Sequence, residues 1–333
     1  MQLARALVGL GNIEEGLALI DKAAAADTGL RDSAIDTLIH ASDSLHQDAG
    51  PSLLENIFAR LARLNPESAY FLTRWAEVLF ASGEREKGIA ALHQAVAATP
   101  ESDALQTADR VRTFMTPDEQ TRFWEIELGR LAPDGIQSLC ASNIPENKLF
   151  IVCYFAEALA EGNQAPEAIA MLSEAKRCFP ENVRIAVTLG LLECRAGNVQ
   201  SGINYLESLL QQCPECLNEI MAKVENILSM LTEKGRFAEN ELLARFLMKV
   251  EPDNLLRRFQ LAESMFRQKK YAEAIHEFEY ILLHAPESPR AAGMMNEACN
   301  SLNAPEICRN AWQRILEANP DAKVPQQYRE GNP

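Results

Sequence analysis

The chain is poor in aromatic residues, at 7%, and nowhere strings together the apolar residues of a membrane helix, which needs about 18 or more in a row. No segment is therefore expected to span a bilayer. Positive charge is also in deficit, with 32 Lys and Arg against 47 Asp and Glu and a formal net charge of −15. A phosphate backbone demands a basic face, so nucleic acid is excluded as a partner. Histidine is scarce, and no His-Glu-x-x-His or Gly-x-Ser-x-Gly motif occurs, which removes the usual signatures of zinc and serine hydrolases. His40 and His46 stand six apart, a poor spacing for one metal, and His93 falls within a helical stretch as a surface or packing residue. Arg5 lies where an export signal would need its apolar stretch, so none is expected at Met1–Leu7. The eight cysteines are scattered without the framework of a small disulfide-rich domain, so a reducing, cytoplasmic setting is the expectation.

What the chain does have is helical material. Hydrophobic residues make up 47% and charged residues 24%, ordinary for a folded protein. Ala, Leu and Glu recur throughout, residues that lose little on entering a helix. A length of 333 residues exceeds a usual single core, so two domains or a repeat is expected.

Prolines set a period. Pro66 to Pro100 is 34 residues, Pro100 to Pro133 is 33, Pro180 to Pro214 is 34, and Pro252, Pro286 and Pro320 follow at 34 and 34. A fixed spacing of this size marks a stacked helix-turn-helix unit. Ahead of Pro286 stand Ala274, Phe278 and Ile281, preceded by Leu261-Ala262 and Tyr271. Ahead of Pro180 stand Ala168, Leu172 and Ala175; ahead of Pro214, Leu189-Gly190, Gly202, Leu206 and Leu209. Seventeen residues before the proline come Gly83, Asn163, Gly197, Gly235 or Asn303, types that take the left-handed conformation ending a helix. Small residues such as Gly202 let paired helices approach, while Phe278 and Trp312 fill the gap to the next pair.

This pattern resembles the tetratricopeptide repeat family over most of the chain. The resemblance implies an all-α fold, a right-handed α-solenoid of about nine stacked helix pairs, some of them degenerate. In the first unit, Gly11, Gly16, Ile20 and Ala23 are in register and the leading helix is shortened. The unit ending at Pro133 has Thr121 and Glu125 where small and apolar residues belong, and Pro133 to Pro180 stretches to 47 residues. Thr28 to Pro66 and Pro214 to Pro252 each span 38, an insertion of about one helical turn. The expected organisation is an acidic arm over 1–133, a connector or hinge over 134–147, a second arm over 148–320 and a polar tail over 321–333. Residues 1–166 carry 13 Lys and Arg against 24 Asp and Glu; residues 167–333 carry 19 against 23.

Three motifs hint at chemistry and have plainer explanations. Gly9-Leu10-Gly11 begins like a dinucleotide loop, but Glu14 replaces the third glycine and no strand precedes it. Cys213-Pro214-Glu215-Cys216 has the spacing of half a zinc site or a redox pair, yet its proline is the one that ends a repeat. Cys153, Cys178, Cys194 and Cys308 fall at packing positions. Glu14-Glu15 and Asp118-Glu119 sit where helices begin and acids favour the dipole. No catalytic residue, metal ligand or cofactor is assigned.

The resemblance implies a groove lined by the first helix of each pair, and so a non-enzymatic scaffold or adaptor that holds a protein or peptide and could serve within a multiprotein complex. In the second arm that groove would present Phe150, Glu157, Arg184, Arg195, Phe259, Glu263, Phe266, Arg267, Arg290 and Glu297, with Cys153, Val187, Leu191, Glu225 and Ser229 among them. Aromatic and Arg side chains are the commonest binding anchors. One subgroup of the family grips chaperone C-termini with Lys and Asn; Thr73 and Glu77, or Phe259 and Glu263, stand there instead, so that role is disfavoured. The alternative is a recognition arm of a larger enzyme, such as a glycosyltransferase bearing these repeats, with the shortened first unit pointing to further sequence upstream.

Overall fold

The computed structural model describes residues 1–10, 12–45, 51–135, 140 and 144–329. Gly11, His46, much of the 134–147 connector and the last four residues of the tail lie outside them. Two compact units divide the chain, Met1–Pro180 and Glu181–Pro333. Unit 1 contains α1 (Gln2–Gly9), α2 (Ile13–Ala26), α3 (Arg31–Leu45), α4 (Pro51–Leu64), α5 (Ala69–Ala81), α6 (Arg85–Ala98), α7 (Ala104–Phe114), α8 (Pro117–Leu131), α9 (Phe150–Glu161) and α10 (Ala165–Cys178). Unit 2 contains α11 (Val183–Ala196), α12 (Val199–Gln212), α13 (Leu217–Glu233), α14 (Phe237–Val250), α15 (Leu255–Arg267), α16 (Tyr271–His284), α17 (Pro289–Leu302), α18 (Pro305–Ala318) and the short α19 (Gln326–Arg329). Every regular element among the described residues is helical.

α1 to α18 fall into nine pairs, and each of the eight repeat prolines lies in the link after the second helix of a pair. Within a unit, first helices neighbour first helices and second neighbour second: α5 meets α7 and α6 meets α8, as α11 meets α13 and α12 meets α14. This two-layered stacking is an α-solenoid of tetratricopeptide-like repeats. The expected turn residues all have positive φ: Gly83 at 83°, Asn163 at 65°, Gly197 at 102°, Gly235 at 67° and Asn303 at 51°. Lys269 does the same job between α15 and α16 at φ 64°, against its type's preference, so its position was not readable from composition. The extra residues before Pro252 lengthen α13 to 17 residues, where its partner α14 has 14.

Packing follows the small-residue register. Ala168, Leu172, Ala175 and Ala274 are fully buried, as are Phe278 and Trp312 within the α15–α18 core. The degenerate pair α7–α8 still buries Ala108, Val111, Phe123, Trp124 and Leu128, and polar contacts around α8 add to that packing. Thr116 and Glu119 form a reciprocal cap at the start of α8, Arg85 reaches Glu119 at 2.5 Å, and the Thr121 hydroxyl faces the Ala158 carbonyl on α9 at 3.4 Å. His93 stacks on Phe123 with ring centres 4.1 Å apart and pairs with Glu127 at 2.5 Å, a packing role.

Contacts within unit 1 join the helices on either side of the 134–147 connector. Trp124 of α8 stacks on Tyr154 of α9 at 5.3 Å, and Lys148 Nζ donates to the carbonyls of Val96, Ala97 and Thr99 at 3.1, 2.8 and 2.7 Å. The first compact unit runs on to Pro180. The cysteine reading needs correction. Cys153 and Cys194 are buried thiols as expected, but Cys178 pairs with Cys140 and Cys308 with Cys299, and Cys213 pairs with Cys216. Folding brings Cys140 and Cys178 together across 38 residues, which spacing along the chain could not reveal.

Candidate functional site

In unit 2 the first helices α13, α15 and α17 leave a hollow of about 330 Å³ between them. α15 contributes one helical stripe, Leu256, Phe259, Gln260 and Glu263, at the spacing that puts residues on a single face. α13 adds Leu228, Ser229, Thr232 and Glu233, α14 adds Phe237 and Asn240, and Arg290 at the start of α17 closes one side.

A buried polar clamp sets the floor. The Asn240 amide donates to the Leu228 carbonyl at 2.9 Å and to the Thr232 hydroxyl at 2.7 Å, and Ser264 Oγ lies 2.5 Å from Asn240 Oδ1. Three helices are thereby tied at one point, and unpaired polar groups there would be costly. Behind it, Glu241 accepts from Arg245 at 2.8 Å, Gln268 at 2.8 Å and Lys270 at 2.7 Å. Burial works against its charge, but these partners outweigh it and hold the carboxyl below the usual range.

At the mouth, the Arg290 guanidinium lies 4.5 Å from the centre of the Phe259 ring and 3.0 Å from Glu263 Oε2. Arg267 approaches the same carboxylate at 3.7 Å. Two exposed guanidiniums thus flank one carboxylate, beside Leu256, whose surface is 58% exposed. Glu225 is drawn away to Arg257 at 2.5 Å, a buried guanidinium also held by Glu251 at 2.8 Å.

The sequence-based candidates therefore separate. Phe259, Glu263 and Arg290 meet at the hollow with Ser229, and Arg267 joins through Glu263. Phe266 is half-buried against Tyr271, ring centres 5.6 Å apart, so it packs between helices. Glu297 is exposed on α17, Arg184 is half-buried near the start of α11 and Arg195 is exposed near its end, none of them lining the hollow. Val187 and Leu191 are buried in the α11–α14 core. Phe150 and Cys153 belong to unit 1 and are buried, Phe150 completely, so neither is presented on a surface. Glu157 pairs with Arg112. Leu256, Thr232 and Gln260 were missed; the stripe from Leu256 to Glu263 on α15 was the available signal.

Unit 1 has a second hollow of about 300 Å³ between α5 and α7, lined by Tyr70, Thr73, Arg74, Glu77, Gln106 and Arg110 among others. Glu77 there pairs with both Arg74 and Arg110.

No protein-family model and no curated protein matches the chain. Solved structures do. MamA is 18% identical, covering 50% of this chain and 92% of its own, with a TM-score of 0.28. The tetratricopeptide domain of P58(IPK) is 16% identical over 99% and 94%, at 0.29. A tetratricopeptide repeat protein from Parabacteroides merdae is 14% identical over 85% and 98%, at 0.35. Superpositions this loose carry no weight here; the fold stands on the helix pairs themselves.

Proposed function

We propose that the chain is a non-enzymatic scaffold or adaptor whose unit 2 hollow receives an apolar side chain from a partner protein segment flanked by acidic residues. The observation that carries this reading is the mouth of the hollow, where exposed Leu256 stands beside an Arg290 that covers Phe259 and grips Glu263. An incoming apolar group would displace water from Leu256 and the rim of Phe259. An incoming carboxylate would compete with Glu263 for Arg290 and Arg267, supplying orientation and on-rate more than raw affinity. Both units carry net negative charge, with 15 Lys and Arg against 26 Asp and Glu over 1–180 and 17 against 21 over 181–333, which supports a protein partner over nucleic acid. No described helix is long and apolar enough to cross a membrane. The pairing of six of the eight cysteines weighs against the cytoplasmic setting expected from sequence.

The test is selection of binding peptides from a random display library, followed by anisotropy titrations. Enriched peptides should carry an aliphatic or aromatic anchor next to Asp or Glu. Since exposed charge pairs contribute about 0–1 kcal/mol each, Arg267→Glu with Arg290→Glu should weaken binding by roughly tenfold and flatten its salt dependence. Leu256→Asp should weaken it as well, with the helical circular dichroism unchanged. Selection of basic peptides, or binding that maps to residues 1–133, would overturn the assignment.

A further inference from the structure

Cys140 lies in the link between α8 and α9, and Cys178 is the last residue of α10. Four residues before Cys178, and so on the same face of the helix, stands Glu174. Its Oε1 is 4.0 Å from Cys140 Sγ and 4.0 Å from Cys178 Sγ, and all three potential ligand atoms fall within 4.8 Å of one another. Cys140 is exposed and the other two are half-buried, so solvent reaches the disulfide. Arg177 completes the cluster, with Nε 3.0 Å from Glu174 Oε2 and Nη2 3.9 Å from Cys140 Sγ.

We propose that this cluster is a redox-gated metal site: opened by a dithiol reductant, it binds a thiophilic divalent cation, best matched by zinc, through Cys140, Cys178 and Glu174. One thiolate of the reductant attacks a sulfur of the pair and the Cys140–Cys178 bond breaks. The reductant's second thiol then closes its own disulfide, so two electrons pass to the two cysteines, which become thiols. Both thiol protons leave as the metal binds the thiolates.

Geometry and charge both fit. Tetrahedral zinc holds sulfur at about 2.3 Å and carboxylate oxygen at about 2.0–2.2 Å, which puts neighbouring ligand atoms roughly 3.5 Å apart. The carboxylate already stands near that spacing from each sulfur, and the two sulfurs need only rotate apart once their bond is open. Two thiolates and a carboxylate carry three negative charges; a divalent cation and Arg177 return three positive ones. The adjacent C-terminal end of α10 also favours a cation. Arg177 beside Cys140 eases thiolate formation. The Cys213–Cys216 pair gathers no third ligand of this kind among the described residues, and Cys299–Cys308 is buried.

The experiment uses the full chain with Cys213→Ser and Cys216→Ser, reduced anaerobically with a phosphine, exposed to zinc, desalted and analysed for metal. Stoichiometric zinc in the reduced protein and none in the oxidised protein is expected. Cobalt in place of zinc should give sulfur-to-metal charge-transfer absorption in the near ultraviolet. Cys178→Ser should abolish tight binding. Glu174→Gln, which leaves both cysteines and their disulfide in place, should weaken it at least about tenfold. No retained zinc after reduction, or equal retention in the Cys178→Ser and Glu174→Gln variants, would overturn the site.

Discussion

Gly202 of α12 sits so close to α11 that a Cβ on it would lie 2.5 Å from the carbonyl oxygen of Gly190. The obstacle is backbone, with Cys194 Sγ and its amide nitrogen also in the way, so a side chain there cannot be accommodated by rotation. Gly202→Ala should lower stability by about 1–3 kcal/mol through overpacking, read as a fall in the urea midpoint. Gly129 on α8 meets nothing within 4 Å, so Gly129→Ala should instead stabilise, by about 0.5–1 kcal/mol. Equal effects would mean that the close approach of α11 and α12 is not real.

Lys148 caps the end of α6 from more than 45 residues away in the chain, meeting three carbonyls with one ammonium. Burial pushes its pKa down, so the geometry rather than an easy charge keeps it there. Lys148→Met should cost about 1–3 kcal/mol by leaving those acceptors without their donor. Thermal unfolding of the full chain would measure it, and an unchanged midpoint would show that water replaces the ammonium freely.

Glu119 is held at about 2 by the Arg85 guanidinium and by its cap on Thr116. A depressed carboxyl stabilises the fold above the unfolded value near 4.5 and loses that contribution as pH falls towards 2. Glu119→Gln should therefore make acid unfolding less steep between these limits and lower stability at neutral pH. Parallel acid titrations of both proteins, differing only by a constant offset, would contradict this.

The cysteine pairing has a mass signature. Protein denatured without reductant should expose two titratable thiols, those of Cys153 and Cys194, and weigh six hydrogens less than after reduction. Burial pushes the Cys194 thiol up to about 12, so it should resist alkylation in the native state at neutral pH. Eight reactive thiols on denaturation would remove the disulfides.

Much of the solenoid was legible because its determinants act over a few residues. A proline ends the helix it follows, and a glycine or asparagine turns left-handed where the chain must reverse, so Gly83, Asn163, Gly197, Gly235 and Asn303 announced the turns of five of the nine pairs. Small residues at Ala168, Gly202 and Ala274 marked where helices meet for the same local reason. The candidate site was legible only in part. Phe259, Glu263 and Arg290 could be placed on first helices, but not brought to one hollow, and Leu256 was overlooked because an apolar residue on a helix is usually turned inward.

Sequence by itself thus determined the repeat, its helices and its turns, since period and backbone chemistry are local properties. Only tertiary structure decided that Phe150 is sealed in unit 1 while Leu256 stands open. It alone brought Arg290 over Phe259, Lys148 to the end of α6 and Cys140 to Cys178. The reason is that these pairings depend on the accumulated lengths of the helices and links between them, and one extra turn in a link re-aims every side chain beyond it.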